Sequence, residues 1–321
     1  MTSGLAARPE RGAGADGEGA DGPVVVGSAS RDIASSDPRG WRLGGAVTYV
    51  GLALARLGLR PRVLVGADGV AATATELDLI RDAGADLLVV PLERSPAFDN
   101  REVGGVRTQR CLEPGDPLPV AALPEAWRFA SDWVLGPVAA ELPDEWGSVP
   151  PRRARVALGW QGLLRDLLRG GLVARRAPGP SALLARADLV VVSRLDLEPA
   201  TSIEALGSLL RPGATLVVTD AEAGGEVWRA EGPLARIARR YDAIATRSLV
   251  DGTGAGDAFL AGLVAARLGH TLAPRAWPDR PDAALRLAAA MGSLTVEGLG
   301  VLGVPTAAAI EARLRDSVRP G

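Results

Sequence analysis

Hydrophobic positions fall in short uninterrupted runs, and the stretches between them carry helical spacing. Pro23-Val24-Val25-Val26-Gly27, Arg62-Val63-Leu64-Val65-Gly66 and Asp86-Leu87-Leu88-Val89-Val90 read as strands. So do Trp133-Val134-Leu135, Ala154 to Leu158, Leu189 to Val192 and Thr215 to Val218. Gly45 to Leu57, Thr75 to Ala83 and Pro199 to Leu210 suit helices. The strand runs are continuous rather than alternating, which indicates strands covered on both faces. Strand–helix alternation of this kind predicts an α/β fold, a doubly wound, mostly parallel sheet flanked by helices. Ligands in such sheets sit beyond the strand C-terminal ends. No repeat period runs through the chain, which argues against a solenoid.

Two stretches break the rhythm. Ser28 to Leu43 is polar and loop-like, and Phe98 to Leu112 carries Gly104-Gly105 between Arg/Thr-rich flanks, as a hairpin does. Both are candidates for a cover over the sheet, a small β-rich lid near residues 30–43 and 97–113, and both equally fit ordinary surface loops. Gly170 to Pro180 reads as an exposed connector. Residues 1–22 lack a hydrophobic core and are expected to form a disordered tail ahead of a single domain over 23–316.

Composition narrows the chemistry. A chain of 321 residues that is 47% hydrophobic can bury a large core, and a net charge of −2 offers no global field for nucleic acid or anionic membrane. No apolar segment approaches the roughly 20 residues a membrane helix needs. Cys111 is the single cysteine, so no internal disulfide forms, which fits a reducing, cytoplasmic compartment. Lysine is absent, and every cationic side chain is arginine. That removes P-loop NTPases, eukaryotic-type protein kinases and Schiff-base enzymes, all of which use a lysine. His270 alone cannot build a Cys/His zinc site. It follows an apolar helix, where a cation at the C-terminal end competes with a catalytic role as its explanation.

The chemistry concentrates in Val250-Asp251-Gly252-Thr253-Gly254-Ala255-Gly256-Asp257-Ala258-Phe259. A glycine-rich turn that opens a helix is an anion site, because first-turn N–H groups lack partners and the helix dipole favours negative charge. Asp257 then stands where an anion should bind. A helix N-cap explains it, and so does a general base beside a phosphate site.

This stretch resembles the second signature of the PfkB/ribokinase family of sugar and nucleoside kinases. The first signature is similar to Gly44-Gly45-Ala46 and Ala53 to Gly58, continuing into Val65-Gly66-Ala67-Asp68-Gly69. Gly27-Ser28-Ala29-Ser30-Arg31-Asp32 matches the early glycine and substrate aspartate, and Ala288 to Ser293 with Gly298-Leu299-Gly300 matches the late helix and adenine-side loop. The motifs keep the family's order from Val24 to Leu314. The resemblance implies an ATP- and Mg²⁺-dependent transfer of phosphate to a hydroxyl. Asp257 would be the base, and the N–H groups of Gly254, Ala255 and Gly256 the anion hole. It further implies Asp32, Gly44 and Gly45 as substrate-binding residues, and Thr219, Gly224, Thr253, Gly254 and Gly300 on the nucleotide side. Asp251 with Thr253 would lie beside a monovalent cation, as in some members, and a homodimer through the lid is a further expectation.

Three stretches depart from the family pattern, and Gly252 stands where a threonine is more usual. Its Asn-x-x-Glu reads Ser193-Arg194-Leu195-Asp196, leaving Asp196 as the metal-side carboxylate. Its Thr-x-Gly-x-x-Gly reads Thr219-Asp220-Ala221-Glu222-Ala223-Gly224, and Thr48 and Tyr49 stand where an asparagine is usual. Gly159 to Arg165 and Gly105 to Arg110 look like an uncharacterised bacterial subgroup related to plant inositol kinases, with Gln161 and Arg107 as candidate acceptor contacts. Arg107 fits a solvated hairpin equally well, and Trp160 fits either sugar stacking or a partly buried core. The reading is phosphorylation of a sugar or polyol, an inositol included. Its alternatives are a nucleoside kinase and a binding homologue that has lost catalysis. A dinucleotide oxidoreductase is disfavoured, because the first strand–helix turn lacks the glycine fingerprint.

Overall fold

A computed structural model describes residues 22–103, 106–272 and 281–317. The expected tail over 1–22 falls outside them except for Gly22, as does the Gly104-Gly105 turn. In chain order the strands are β1 Val24–Ser28, β2 Ser30–Ile33, β3 Trp41–Gly44, β4 Arg62–Ala67, β5 Asp86–Pro91, β6 Ala97–Val103, β7 Val106–Glu113 and β8 Asp132–Leu135. They continue with β9 Arg155–Gly159, β10 Arg165–Asp166, β11 Ala174–Arg175, β12 Leu189–Ser193, β13 Thr215–Thr219, β14 Gly225–Glu231 and β15 Leu234–Tyr241. The helices are α1 Ala46–Arg56, α2 Glu76–Asp82, α3 Ala182–Arg186, α4 Ala255–Arg267, α5 Pro281–Thr295 and α6 Ala307–Asp316.

The main sheet runs β15-β14-β13-β12-β9-β8-β1-β4-β5, parallel from β13 to β5, with the β14–β15 hairpin antiparallel at one edge. One face packs on α1, α4 and α5 through Val47, Leu54, Leu263, Val264, Leu287 and Met291. The other face is covered by short 3-10 turns and α3. Its bulk comes from Trp133, Trp146 and Trp160, with Leu183 and Leu184 beside them. Two of those indoles are satisfied, Trp133 Nε1 by the Ala130 carbonyl at 3.0 Å and Trp146 Nε1 by the Leu118 carbonyl at 2.8 Å.

Three expectations need correction. Pro199 to Leu210 holds only a 3-10 segment, Glu204–Leu209. Gly207 lies against the Leu234–Ala235 backbone, where a Cβ would come within 2.0 Å, so close packing and not helix propensity decides this crossover. Ser28 to Leu43 is not a loop but supplies β2 and β3. These strands are four residues each, too short for an alternation to register in the sequence. Strand β5 lies at the sheet edge, and of its residues only Val90 is buried while Leu88 is exposed on the same face, so its apolar run is not covered on both faces.

β2 and β3 join β6 and β7 in a separate four-stranded sheet, β3-β2-β6-β7. Only the β2–β6 pair is parallel. The outer edge of β7 is met by the connector after β10, with Cys111 N donating to Gly171 O at 2.9 Å and Val173 N to Gln109 O at 2.8 Å. The connector is largely exposed, yet it is pinned to the small sheet.

Candidate active site

Helix α4 begins at Ala255, and its N-cap is Gly254 at φ 81. Asp257 is therefore the third helical residue, not the cap. Its side chain stands over a helix N-terminus whose N–H groups have no side-chain cap. A Cβ on Gly254 would fall 2.1 Å from a Tyr49 ring carbon, so the turn is pressed onto that ring. Desolvation pushes the Asp257 carboxyl up to about 7, with Asp196 adding to the rise and the Arg165 guanidinium opposing it. The side chain still keeps partial solvent access. A carboxyl so placed is poised to exchange a proton near neutrality.

Asp251 acts as the clamp of the same turn. One of its carboxylate oxygens accepts from Thr253 N at 2.9 Å, the other from Gly300 N at 3.1 Å, and Arg42 lies 3.9 Å away. Backbone bonds from Val250 N and Asp251 N to Val296 O complete the tie between this segment and the loop after α5. Tyr49 is buried beneath both. Burial first, then the Asp32, Asp251 and Asp257 carboxylates, hold its hydroxyl well above the usual tyrosine range, so it stays protonated.

On the opposite side β2 presents Asp32, which accepts from Ser30 Oγ at 3.3 Å. Gly44 faces this pair: a Cβ there would lie 2.5 Å from the Asp32 carboxylate and 2.6 Å from Ser30 Oγ. Gly45, at φ 96, caps α1 against the Ser28 carbonyl. Glu141 braces the end of β1. Buried and paired with no cation among the described residues, it accepts from Ser28 N at 3.0 Å, Val138 N at 3.0 Å and Ala139 N at 2.8 Å. Burial raises its pKa despite those donors. Asp68, in the glycine-flanked turn after β4, pairs with Arg31 at 3.1 Å and accepts from Ser95 N at 3.1 Å, which knits the small sheet to the large one.

The third wall comes from the ends of β12 and β13. Ser193 Oγ accepts from Leu195 N at 3.2 Å and so caps the short turn that holds Asp196. Gln161, read from the sequence as an acceptor contact, donates to Asp196 Oδ1 at 3.0 Å. Thr219 lies beside Ser193 in register. Beyond it Ala221 holds φ 46 and Gly224 φ 86, so the backbone keeps a glycine-like turn with alanine in one of the two places. A cleft of about 230 Å³ opens here, lined by Arg194, Asp220, Glu226, Arg240 and Tyr241 among others.

Other sequence candidates lie elsewhere or serve the scaffold. Trp160 is 1% exposed and belongs to the core. His270 bonds to the Leu57 carbonyl at 3.0 Å, tying the end of α4 to the end of α1. Arg107 occupies β7 opposite Glu102, and its side chain lies outside the described residues. Sequence reasoning missed Arg165 and Glu141. Arg165 sits over the Phe98 ring at 5.6 Å and acts on Asp257. Nothing in the local sequence marks it among 36 cationic residues. Glu141 is a lone acid between apolar neighbours, which was the available signal.

Residues 177–307, which include β12 to β15 and the Asp257 turn, match the family model described as pfkB family carbohydrate kinase. The matched segment is less than half of the chain. The fold of the chain is that of the ribokinase family. A pyrophosphate-dependent kinase of that family, complexed with a pyrophosphate analog and myo-inositol, is 19% identical at a TM-score of 0.69, over 91% of this chain and 99% of its own. Fructokinase with bound ATP from Xylella fastidiosa is 20% identical at a TM-score of 0.64, over 92% and 99%. Burkholderia thailandensis nucleoside kinase in complex with inosine is 16% identical at a TM-score of 0.65, over 92% and 98%. At these identities the likeness is one of fold. No curated protein matches the sequence. No helix of the described residues is long and apolar enough to cross a membrane.

Proposed function

We propose that this chain transfers a phosphoryl group from ATP to a hydroxyl of a small sugar or polyol, with Asp257 as the general base. The observation that carries the reading is Asp257 itself, a desolvated carboxyl near neutral pKa on an uncapped helix N-terminus. The acceptor hydroxyl gives its proton to Asp257 as it attacks. Negative charge developing on the transferred group meets the N–H groups of Gly254, Ala255 and Gly256. Asp32, with Gly44 leaving room for it, orients the acceptor from the small sheet.

Asp196 fits Mg²⁺, which commonly takes one or two carboxylates with phosphate and water. It is partly buried, held by Gln161 and close enough to influence Asp257, and it would hold the metal on the phosphate side. When bound, Mg²⁺ supplies charge neutralisation to the phosphates. A nucleotide donor is supported by Leu249, Val250, Leu299 and Leu302, exposed at 74%, 51%, 44% and 60%. They lie on the two segments that Asp251 ties together beside the anion hole. Apolar surface there suits a flat base, which pyrophosphate lacks.

The test is ATP or pyrophosphate consumption against a panel of sugars, cyclitols and nucleosides, with Asp257→Asn alongside. The expected result is turnover with ATP and a polyol, lost by about 10²–10⁴-fold in the variant while ATP binding persists. Near-normal turnover by Asp257→Asn removes the base from the mechanism.

A further inference from the structure

Asp251 clamps the glycine turn, and its charge needs a balance. It is one of four acids, with Asp32, Asp196 and Asp257, whose charges act on Tyr49 or on Asp257 around a cleft that the proposed reaction fills with phosphate charge. The resemblance to the ribokinase family implies a monovalent cation beside Asp251 and Thr253. The residues present do not fit one. One Asp251 oxygen accepts from Thr253 N at 2.9 Å and the other from Gly300 N at 3.1 Å. The Val296 carbonyl takes Val250 N at 2.8 Å and Asp251 N at 3.2 Å. These oxygens are engaged by N–H donors, and a fixed positive charge already stands beside them: Arg42 Nη1 lies 3.9 Å from Asp251 Oδ2. A second cation on the same carboxylate would meet that guanidinium at close range.

Arg42 is held in that place from three sides. Strand pairing sets it opposite Asp32, so the two side chains share one face of the small sheet, and the charges of both act on the Tyr49 hydroxyl. The second arm of the guanidinium, Nη2, donates to Ser36 Oγ at 2.7 Å. Its stem passes Gly300, where a Cβ would lie 3.5 Å from Arg42 Cδ. The side chain therefore runs along the loop whose N–H the Asp251 carboxylate accepts. At 3.9 Å the contact with Asp251 is an ion pair and not a direct hydrogen bond, so its work is charge balance. Both side chains are mostly covered, at 20% and 21% exposure, which limits screening by solvent. A guanidinium cannot be deprotonated in a protein, so this charge is permanent.

We propose that Arg42 is the resident cation of the Asp251 turn: a positioning residue, carried in by the small sheet, that balances the clamp carboxylate and makes the reaction independent of potassium and sodium. The proposal rests on the N–H groups of Gly254, Ala255 and Gly256 as the anion hole, on which Arg42 acts through Asp251 and Thr253 without touching substrate. Strand β3 supplies the charge and the Asp251–Gly300 clamp receives it, so the pair also ties the small sheet to the turn that opens α4. Wild type, Arg42→Met, Arg42→Lys, Asp251→Asn and the Arg42→Met/Asp251→Asn double variant test it in potassium, sodium and choline chloride at one ionic strength. The readouts are thermal midpoint, ATP affinity by calorimetry, and kcat and KM for ATP.

The wild type is expected to keep one midpoint and one kcat in all three salts. Arg42→Met is expected to lose about 10-fold or more in kcat in choline chloride, with a smaller change in KM. Potassium is expected to raise the midpoint of that variant and return part of its kcat, and Arg42→Lys to recover part of the loss without added potassium. The double variant is expected to lose less midpoint than the two single losses summed, because Asp251→Asn removes the charge that Arg42 balances. A wild-type midpoint, ATP affinity or kcat that rises in potassium over choline overturns the proposal. Wild-type kcat kept by Arg42→Met in choline, or strictly additive midpoints, overturn it as well. Midpoint and ATP affinity are read without an acceptor, so they decide the question even where no acceptor turns over. Full turnover by Asp257→Asn overturns the base alone and leaves the salt comparison intact.

Discussion

Gly254 and Ala221 both hold backbone angles of the left-handed region, at φ 81 and φ 46, in turns that open α4 and follow β13. Their surroundings differ. At Gly254 the Tyr49 ring fills the place a side chain would take, and the N–H groups behind it form the candidate anion hole. At Ala221 only the backbone angle is demanding, so alanine stands there at a cost of about 1–2 kcal/mol. A glycine required by both angle and space has no substitute, whereas one required by angle alone can be replaced at moderate cost. This accounts for a glycine kept at 254 in the turn before Asp257, while the turn after β13 carries alanine at 221.

Gly254→Ala strikes the tighter turn and carries the largest expected effect. The methyl must displace the Tyr49 ring or the N-terminus of α4, and it adds left-handed strain. Destabilisation of about 2–4 kcal/mol is expected, with turnover falling at least 10²-fold as the anion hole shifts. Denaturant unfolding and single-turnover kinetics measure both. Adding Tyr49→Ala removes the obstacle, so the double variant is expected to lose less stability than the two single losses summed. Strict additivity would show that Tyr49 and Gly254 do not constrain one another.

Asp257 gives the same comparison a pH axis. Its carboxyl is raised from 3.8 to about 7 in the folded chain, with desolvation as the main cause. Between about pH 4 and 7 the folded state keeps a proton that the unfolded state has released, so stability falls as pH rises through that window. Asp257→Asn removes this penalty. The variant is expected to match the wild type below pH 4 and to exceed it above pH 7 by about 1–2 kcal/mol, after allowance for solvent screening. That corresponds to roughly 1.5–3 °C in thermal midpoint for a chain of this length. Wild-type turnover is expected to rise with pH through the same range. A constant offset between the two proteins from pH 4 to 8 contradicts the raised pKa.

The parallel core was legible because apolar runs such as Leu189 to Val192 have no other outlet than a buried strand. The Asp257 turn was legible for a related reason: three alternate glycines and a carboxylate before an apolar helix leave few structures open. Partners distant in sequence were not legible. Ser28 to Leu43 reads as a loop because the β2–β3 pairing inside it is short and the other edge of β2 is bonded by β6, more than 60 residues on. Gln161 carried its chemistry in its amide, but only the folded chain shows that amide turned to Asp196. Tyr49 read as a departure from a pattern, whereas in the fold it is the surface against which the glycine turn is set.

The smallest effect is expected at the looser turn. Ala221→Gly relieves the strain of φ 46 but gives the unfolded chain more freedom to lose. Relief of about 1–2 kcal/mol against an entropic cost of about 0.5–1 kcal/mol leaves a net gain of roughly 0–1.5 kcal/mol. The substitution lies beside Asp220, on the wall of the cleft that also holds Arg194 and Glu226. If this wall contacts the donor, KM for ATP is expected to change by less than about threefold, because the backbone path is already that of a glycine. Urea midpoints and donor KM values measure the two effects. A stability loss would show that the Ala221 methyl makes contacts worth more than its strain, and that this turn too is held by its neighbours.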